Sequence, residues 1–93
     1  MNTALGVGDV PLGEGFLAWR AYSNATPDLP VGKLIARGTP HLTTAEIAAY
    51  DAPFPDDAYK AGARIFPSLV PITPDDPASA ANRKAWETLL AWD

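Results

Sequence analysis

Apolar residues recur at helical spacing in several short stretches of the chain. Phe16, Trp19 and Ser23 fall on one side of a helix predicted from about Glu14 to Ser23. Pro27 ends this helix, because the residue before a proline avoids the helical region. Residues 1–13 are rich in glycine and are predicted to form an irregular leading segment.

A second helix is predicted to start near Pro30, a residue that suits the first turn. Val31, Leu34 and Ile35 then share one face. Gly38 follows and is expected to cap the carboxyl end of this helix.

The third helix has the clearest start signal. Thr43, followed three residues later by Glu46, forms a capping box in which each side chain can bond a backbone amide of the other residue. Ile47 and Tyr50 are then expected to face inward. The pair Phe54-Pro55 breaks the helix.

A fourth helix is predicted to begin at the acidic pair Asp56 and Asp57, which suits the positive end of a helix dipole. Pro67 is expected to interrupt it. Its apolar positions are Tyr59, Ala63 and Phe66.

The last helix is predicted from about Pro77 to Trp92, with Trp86 and Leu90 broadening its apolar surface. Its inward stripe is expected to comprise Ala81, Ala85, Leu89 and Trp92. No pair of strands is visible. The predicted class is therefore all-α, with about five short helices in a single helical domain over residues 1–93.

Composition excludes several functions. The chain has 93 residues, no cysteine and one histidine, His41. Disulfides, thiolate metal sites and multi-histidine metal sites are therefore excluded. The net charge is -4 and the seven basic residues are scattered, so nucleic acid is not an expected partner. No cofactor is expected, because the glycines of Gly6-Val7-Gly8-Asp9 follow no strand and lack a third glycine.

No apolar run reaches the roughly 20 residues that span a bilayer, and the amino-terminal residues lack the pattern of a secretory signal. We therefore expect a soluble protein of the cytoplasm without a membrane partner.

Isolated polar residues offer little catalytic chemistry. His41 has no nucleophile placed beside it and is expected to be a solvated residue before the Thr43 cap. Two acidic pairs could suggest metal binding, but both lie where helices begin and are better explained as helix caps. These pairs are Asp56 with Asp57, and Asp75 with Asp76.

The three tryptophans leave an alternative open. Trp19, Trp86 and Trp92 are most simply core or interface side chains. A buried indole N–H needs an acceptor, which is either a backbone carbonyl or a bound anion.

Two segments resemble the cap domain of haloalkane dehalogenases, which belong to the α/β-hydrolases. One is Gly15-Phe16-Leu17-Ala18-Trp19, and the other runs over residues 42–76 and includes Ala52-Pro53-Phe54-Pro55 and Arg64-Ile65-Phe66-Pro67. The Trp-containing segments 85–87 and 91–93 add to the match, which covers nearly the whole chain.

The resemblance implies a helical lid without its enzyme core. In this family a core sheet carries an aspartate nucleophile, a histidine base and an acid. The nucleophile displaces halide from an alkyl carbon, and activated water then hydrolyses the ester. By this resemblance, residues 1–3 look like the tail of the strand that precedes the cap, and Asp93 looks like the return to the sheet. We expect the missing core domain as partner and no catalysis by the chain alone.

The resemblance also implies site residues. In one branch of the family two indole N–H groups hold the departing halide, and the one on the first cap helix matches Trp19. Such a donor stabilises a developing anion. The positions that line the apolar substrate pocket match Phe16, Phe66, Pro67 and Val70.

Two other functions remain open at this stage. An epoxide hydrolase cap would donate tyrosine hydroxyls to the epoxide, and Tyr22, Tyr50 and Tyr59 are available. A free-standing helical interaction module is the other. A severed cap would expose apolar surface, so we also expect self-association.

Overall fold

The computed structural model describes residues 4–92 and, within that range, contains helices and no strand. This confirms the all-α class and the five helices. The bounds are α1 Glu14–Ala25, α2 Val31–Gly38, α3 Thr44–Asp51, α4 Ala61–Leu69 and α5 Pro77–Leu90, with a 3-10 helix at Asp57–Lys60 directly before α4. The prediction that residues 1–3 and Asp93 adjoin a sheet lies outside the described residues.

Contacts along the backbone divide the chain into two units. The first comprises Met1–Ala21 with Phe66–Asp93, and the second comprises Tyr22–Ile65. The second unit therefore contains α2 and α3, which pack on each other. The assignment of the whole chain to a single domain stays a prediction.

Helix α1 starts where Gly13 accepts two backbone hydrogen bonds, from Phe16 N at 3.1 Å and Leu17 N at 3.2 Å. It runs two residues further than the predicted Ser23, to Ala25. Thr26 Oγ1 donates to Tyr22 O at 2.7 Å and so satisfies a carbonyl in the last turn.

The predicted cap at Gly38 is wrong. Gly38 is the last residue of α2 itself, and among the described residues the only glycine with positive φ is Gly8. Gly38 therefore adopts no left-handed cap conformation, and the backbone amide of Thr39 instead donates to Ala36 O at 3.3 Å. The short 3-10 type of closure satisfies a terminal carbonyl without a glycine.

The capping box of α3 is confirmed. Glu46 N donates to Thr43 Oγ1 at 3.3 Å, and Thr43 N donates to Glu46 Oε2 at 2.7 Å. These bonds favour the ionised carboxyl, so the Thr43 backbone amide, followed by its hydroxyl, lowers the pKa of Glu46. Tyr50 was expected to face inward, but it is 46% exposed. Tyrosine accommodates this because its ring carries a polar hydroxyl.

Pro67 does not end α4, contrary to the prediction. The helix continues to Leu69, and Pro67 lies inside it and is buried. Because Pro67 sits in the last turn, its missing N–H removes one bond near an end that is already incomplete.

The predicted inward stripe of α5 is also wrong at its carboxyl end. Leu89 is 49% exposed and Leu90 is 82% exposed. Trp92 lies beyond the end of α5 and is 74% exposed. Ser79 is instead the fully buried residue of this helix, so α5 packs through a more polar face than its alanines indicated.

Few large apolar side chains are buried. Among the described residues, Leu29 is the one large aliphatic or aromatic side chain in the buried class, at 3% exposure. Many others lie on the surface, including Val10, Ile65, Phe66, Leu69, Leu90 and Trp92. Such side chains are more often buried in folded chains, and contiguous exposed apolar surface is typical of interaction sites.

Candidate functional site: an apolar concavity in the first unit

An apolar concavity of about 600 Å³ lies within the first unit. Its walls come from the irregular segment before α1, from the first turn of α1 and from the residues that follow α4. The lining residues are Ala4, Leu5, Gly6, Val7, Gly8, Asp9, Val10, Leu12, Phe16, Val70 and Pro71. Apolar walls of this size suit a small uncharged molecule.

Gly8 fixes the path of the irregular segment. Its φ of +76° lies in the left-handed region, where a side chain is strained. A Cβ placed on Gly8 would lie 2.1 Å from Thr73 O, so the two backbones approach more closely than any other residue type allows. The segment therefore rests against the loop that leads into α5.

Helix α5 holds the same segment by hydrogen bonds. Trp86 Nε1 donates to Leu5 O at 2.8 Å, and Asn82 Nδ2 donates to Gly6 O at 2.6 Å. For Trp86, the acceptor left open by the sequence is therefore a backbone carbonyl and not an anion.

Two of the predicted pocket residues line the concavity. Phe16 lies on α1 and Val70 follows α4, and both are partly buried. Trp19 lies on α1 one turn after Phe16 and is also partly buried. Phe66 is 70% exposed and Pro67 is buried in α4. Trp19, Phe66 and Pro67 are not among the described residues that line the concavity.

Sequence reasoning missed most of the wall. Leu5, Val7, Val10 and Leu12 lie in the segment that was expected to be merely irregular. The available signal was that apolar side chains recur at every second or third position between its glycines. Because that spacing does not match the period of a helix, a search for helical patterns does not detect it.

One acid of each pair caps a helix, as expected. Asp56 Oδ1 accepts from Ala58 N at 2.9 Å, and Asp76 Oδ1 accepts from Ala78 N at 3.0 Å. The Thr73 side chain hydrogen-bonds Asp75 and lowers the pKa of its carboxyl. His41 is exposed, as expected.

Within residues 4–92, no group of three or more histidine, aspartate or glutamate side chains is placed to hold a metal ion. In the same range, every helix is too short or too polar to cross a membrane.

Several known proteins similar to this chain are haloalkane dehalogenases. A haloalkane dehalogenase of Psychrobacter cryohalolentis is 55% identical over 92 residues, which cover 98% of this chain and 30% of that protein. The chain matches part of a haloalkane dehalogenase. Haloalkane dehalogenase 1 of Mycobacterium tuberculosis is 52% identical over 92 residues, covering 92% of this chain and 31% of that protein.

A solved structure gives the same result. The haloalkane dehalogenase DpaA of Paraglaciecola agarilytica, described as tetrameric, superposes with a TM-score of 0.77 at 36% identity. The match covers 92% of this chain and 29% of DpaA. The chain thus spans about 30% of the length of the haloalkane dehalogenases it resembles. No protein-family model matches it.

Proposed function

We propose that this chain forms the cap of a haloalkane dehalogenase: it covers the active site, lines the apolar pocket and supplies one halide-binding indole. The proposal rests mainly on two facts: the sequence identity to known haloalkane dehalogenases, and the fraction of each chain that the alignments cover. The Psychrobacter and Mycobacterium tuberculosis proteins, at 55% and 52% identity, match 98% and 92% of this chain but 30% and 31% of their own length. Every secondary-structure element described in the matched segment is a helix.

In this proposal the bond-breaking groups belong to a core domain outside the chain. That core supplies the aspartate nucleophile, the histidine base and the acid. The chain's single histidine, His41, is exposed in the turn before α3 and takes no part. The cytoplasmic location expected from the sequence stays a prediction.

Trp19 is the proposed halide donor. An indole N–H in a site shielded from water stabilises an anion that forms as the carbon–halogen bond breaks. Trp19 is partly buried, and its position one turn after Phe16 places both residues on the same side of α1.

Phe16, Phe66, Pro67 and Val70 are the proposed pocket residues. Phe16 and Val70 already line the concavity. Phe66 is 70% exposed, and in the proposal the core domain covers it. Burying a phenylalanine ring contributes about 1.5–3 kcal/mol, so such a position favours docking.

The test is a chimera. This chain replaces the matching segment of the Psychrobacter enzyme, and bromide release from 1-bromobutane is measured. We expect turnover by the chimera and none above buffer by the chain alone. A chimera that folds, as judged by circular dichroism and size, but neither turns over nor binds bromide would refute the proposal.

Trp19→Phe in that chimera isolates the halide contact. Removing one preorganised donor lowers kcat by about 10²–10³-fold, and the dissociation constant for bromide should rise. Trp92→Phe is the matched control, because it makes the same change at an indole outside the lining of the concavity and keeps the aromatic ring. Equal effects of the two substitutions would remove Trp19 from the site.

The isolated chain is proposed to self-associate through the surface that the core would cover. Its exposed apolar residues include Phe66, Leu69 and Leu90, which are 70%, 57% and 82% exposed. Sedimentation velocity should show association that increases with concentration. A monomer at high concentration contradicts this part of the proposal.

A further inference from the structure

One face of α5 presents three hydrogen-bonding side chains to the irregular segment. Trp86 lies four positions after Asn82 and three after Arg83, so the three side chains fall within roughly 100° of the helix circumference. Their acceptors are three consecutive backbone carbonyls, those of residues 5, 6 and 7.

Those carbonyls need donors. A segment without helix or strand has no ladder to satisfy its backbone groups, so side chains or water must do so. Trp86 donates to Leu5 O at 2.8 Å and Asn82 to Gly6 O at 2.6 Å. Arg83 Nη2 donates to Val7 O at 3.2 Å. The three bonds fix the backbone of the segment at residues 5–7.

Arg83 also joins the segment to a second loop. Its Nη2 lies 2.6 Å from Asp9 Oδ1, and its Nη1 donates to Pro74 O at 3.2 Å. A guanidinium presents several donors in one rigid plane, whereas a lysine ammonium cannot keep that fork geometry. One side chain thus fixes both the segment and the loop that Gly8 contacts.

The concavity depends on this arrangement. Leu5, Gly6 and Val7 all line it, and they are the residues whose carbonyls α5 holds. We propose that Asn82, Arg83 and Trp86 are positioning residues: they set the distance between the segment and the wall formed by Phe16, Val70 and Pro71. They thereby determine the length of the small apolar haloalkane that fits. The ligand class rests on the proposed function.

The experiment uses the full chain and two probes, 1-bromobutane and 1-bromohexane. Methyl chemical shifts of Val7, Val10, Leu12 and Val70 are followed by NMR during titration. The dissociation constants and their ratio are compared for the native chain, Trp86→Phe and Trp92→Phe. Trp86→Phe keeps an aromatic ring but removes the N–H, and Trp92→Phe makes the same change at an exposed position.

We expect saturable shifts in the native chain. Trp86→Phe should weaken binding of 1-bromobutane by roughly 2- to 10-fold, the range expected for one lost hydrogen bond. The ratio of the two dissociation constants should move toward one. A substitution that only lowers the folded fraction scales both constants equally and leaves the ratio unchanged. Trp92→Phe should leave both constants unchanged.

Arg83→Lys provides a second variant that keeps the charge but loses the fork, with Lys84→Arg as its control at an exposed neighbour. It is compared in the same way if Trp86→Phe fails to fold. An unchanged ratio in both Trp86→Phe and Arg83→Lys would overturn the inference. Absence of saturable shifts in the native chain would also overturn it, whereas the cap proposal is decided separately by turnover of the chimera.

Discussion

The two units are closed by contacts of very different reach along the chain. In the second unit, Gly32 N in the first turn of α2 donates to Asp51 Oδ1 at 2.8 Å, across 19 residues, and Ser23 Oγ donates to Arg64 O at 2.9 Å, across 41 residues. In the first unit, α5 donates to residues that lie 76 to 81 positions earlier. Loop-closure entropy grows slowly with that separation, so the longest closures in the first unit cost about 1 kcal/mol more than the closure across 19 residues.

The two units therefore respond differently to damage. The α2–α3 pair in the second unit has its own short-range caps and close packing. The irregular segment of the first unit has no secondary structure, and it keeps its shape through Gly8 and the donors of α5. We expect the largest losses of stability from substitutions at positions where the backbone of that segment leaves no room for a side chain.

Gly8→Ala is the substitution with the largest expected effect. A Cβ there would lie 2.1 Å from Thr73 O, in a left-handed backbone conformation. Strain and overpacking together should lower the free energy of unfolding by about 3 kcal/mol. Urea denaturation followed by circular dichroism measures this loss.

Gly6→Ala is the matched control in the same segment. The nearest atom to its Cβ would be Pro71 O at 3.9 Å, an ordinary contact. Its stability should stay within about 0.5 kcal/mol of the native value. Equal losses for Gly6→Ala and Gly8→Ala would show that the close approach to Thr73 is absent.

Gly32→Ala tests the second unit in the same way. Its Cβ would lie 2.6 Å from both Ile47 O and Asp51 Oδ2, so α2 and α3 would have to separate. A loss of about 1–3 kcal/mol is expected in the same denaturation experiment. Gly38→Ala, with no atom within 4 Å of its Cβ, should be neutral or stabilising by up to about 1 kcal/mol, because Gly38 is helical.

Thr43→Ala removes the side-chain half of the capping box, whose two residues are only three positions apart. Loss of an amino-terminal cap costs about 1 kcal/mol, so helicity and the denaturation midpoint should fall modestly. Thr44→Ala changes the first residue of α3 itself, which is not one of the two residues of the capping box, and should have little effect. Similar losses for both variants would contradict the observed cap.

Acid should act on the same cap with a smaller effect. The pKa of Glu46 is lowered from its ordinary 4.5 in the folded chain, first by the Thr43 backbone amide. Its contribution is therefore fully present above pH 4.5 and is lost as the pH falls through the lowered value. The loss of stability on acidification should be smaller in Thr43→Ala than in the native chain, as measured by urea midpoints between neutral pH and pH 3.

These contrasts also explain which features the sequence revealed. The box of Thr43 and Glu46 could be predicted because both partners lie within one turn, and the caps at Asp56 and Asp76 are equally local. The family resemblance supplied Phe16 and Val70 of the concavity. Bonds such as that from Trp86 to Leu5 could not be predicted, because no local pattern encodes a partner 81 residues away.

The errors have a common physical origin. Gly38 and Pro67 were interpreted from intrinsic conformational preferences, which packing and helix ends override. The alanine stripe of α5 was assigned to a core on its periodicity. That face leaves Leu89 49% exposed, because periodicity indicates a helix face without indicating what packs on it.

Lys60 lies within the second unit with its ammonium 2.5 Å from Asp28 Oδ1. Its side chain is 9% exposed, while that of Asp28 is 81% exposed. The chain's other two lysines, Lys33 and Lys84, are open to solvent. An amine-reactive label should consequently modify Lys33 and Lys84 before Lys60. The rate at which Lys60 is labelled then measures local opening of the second unit.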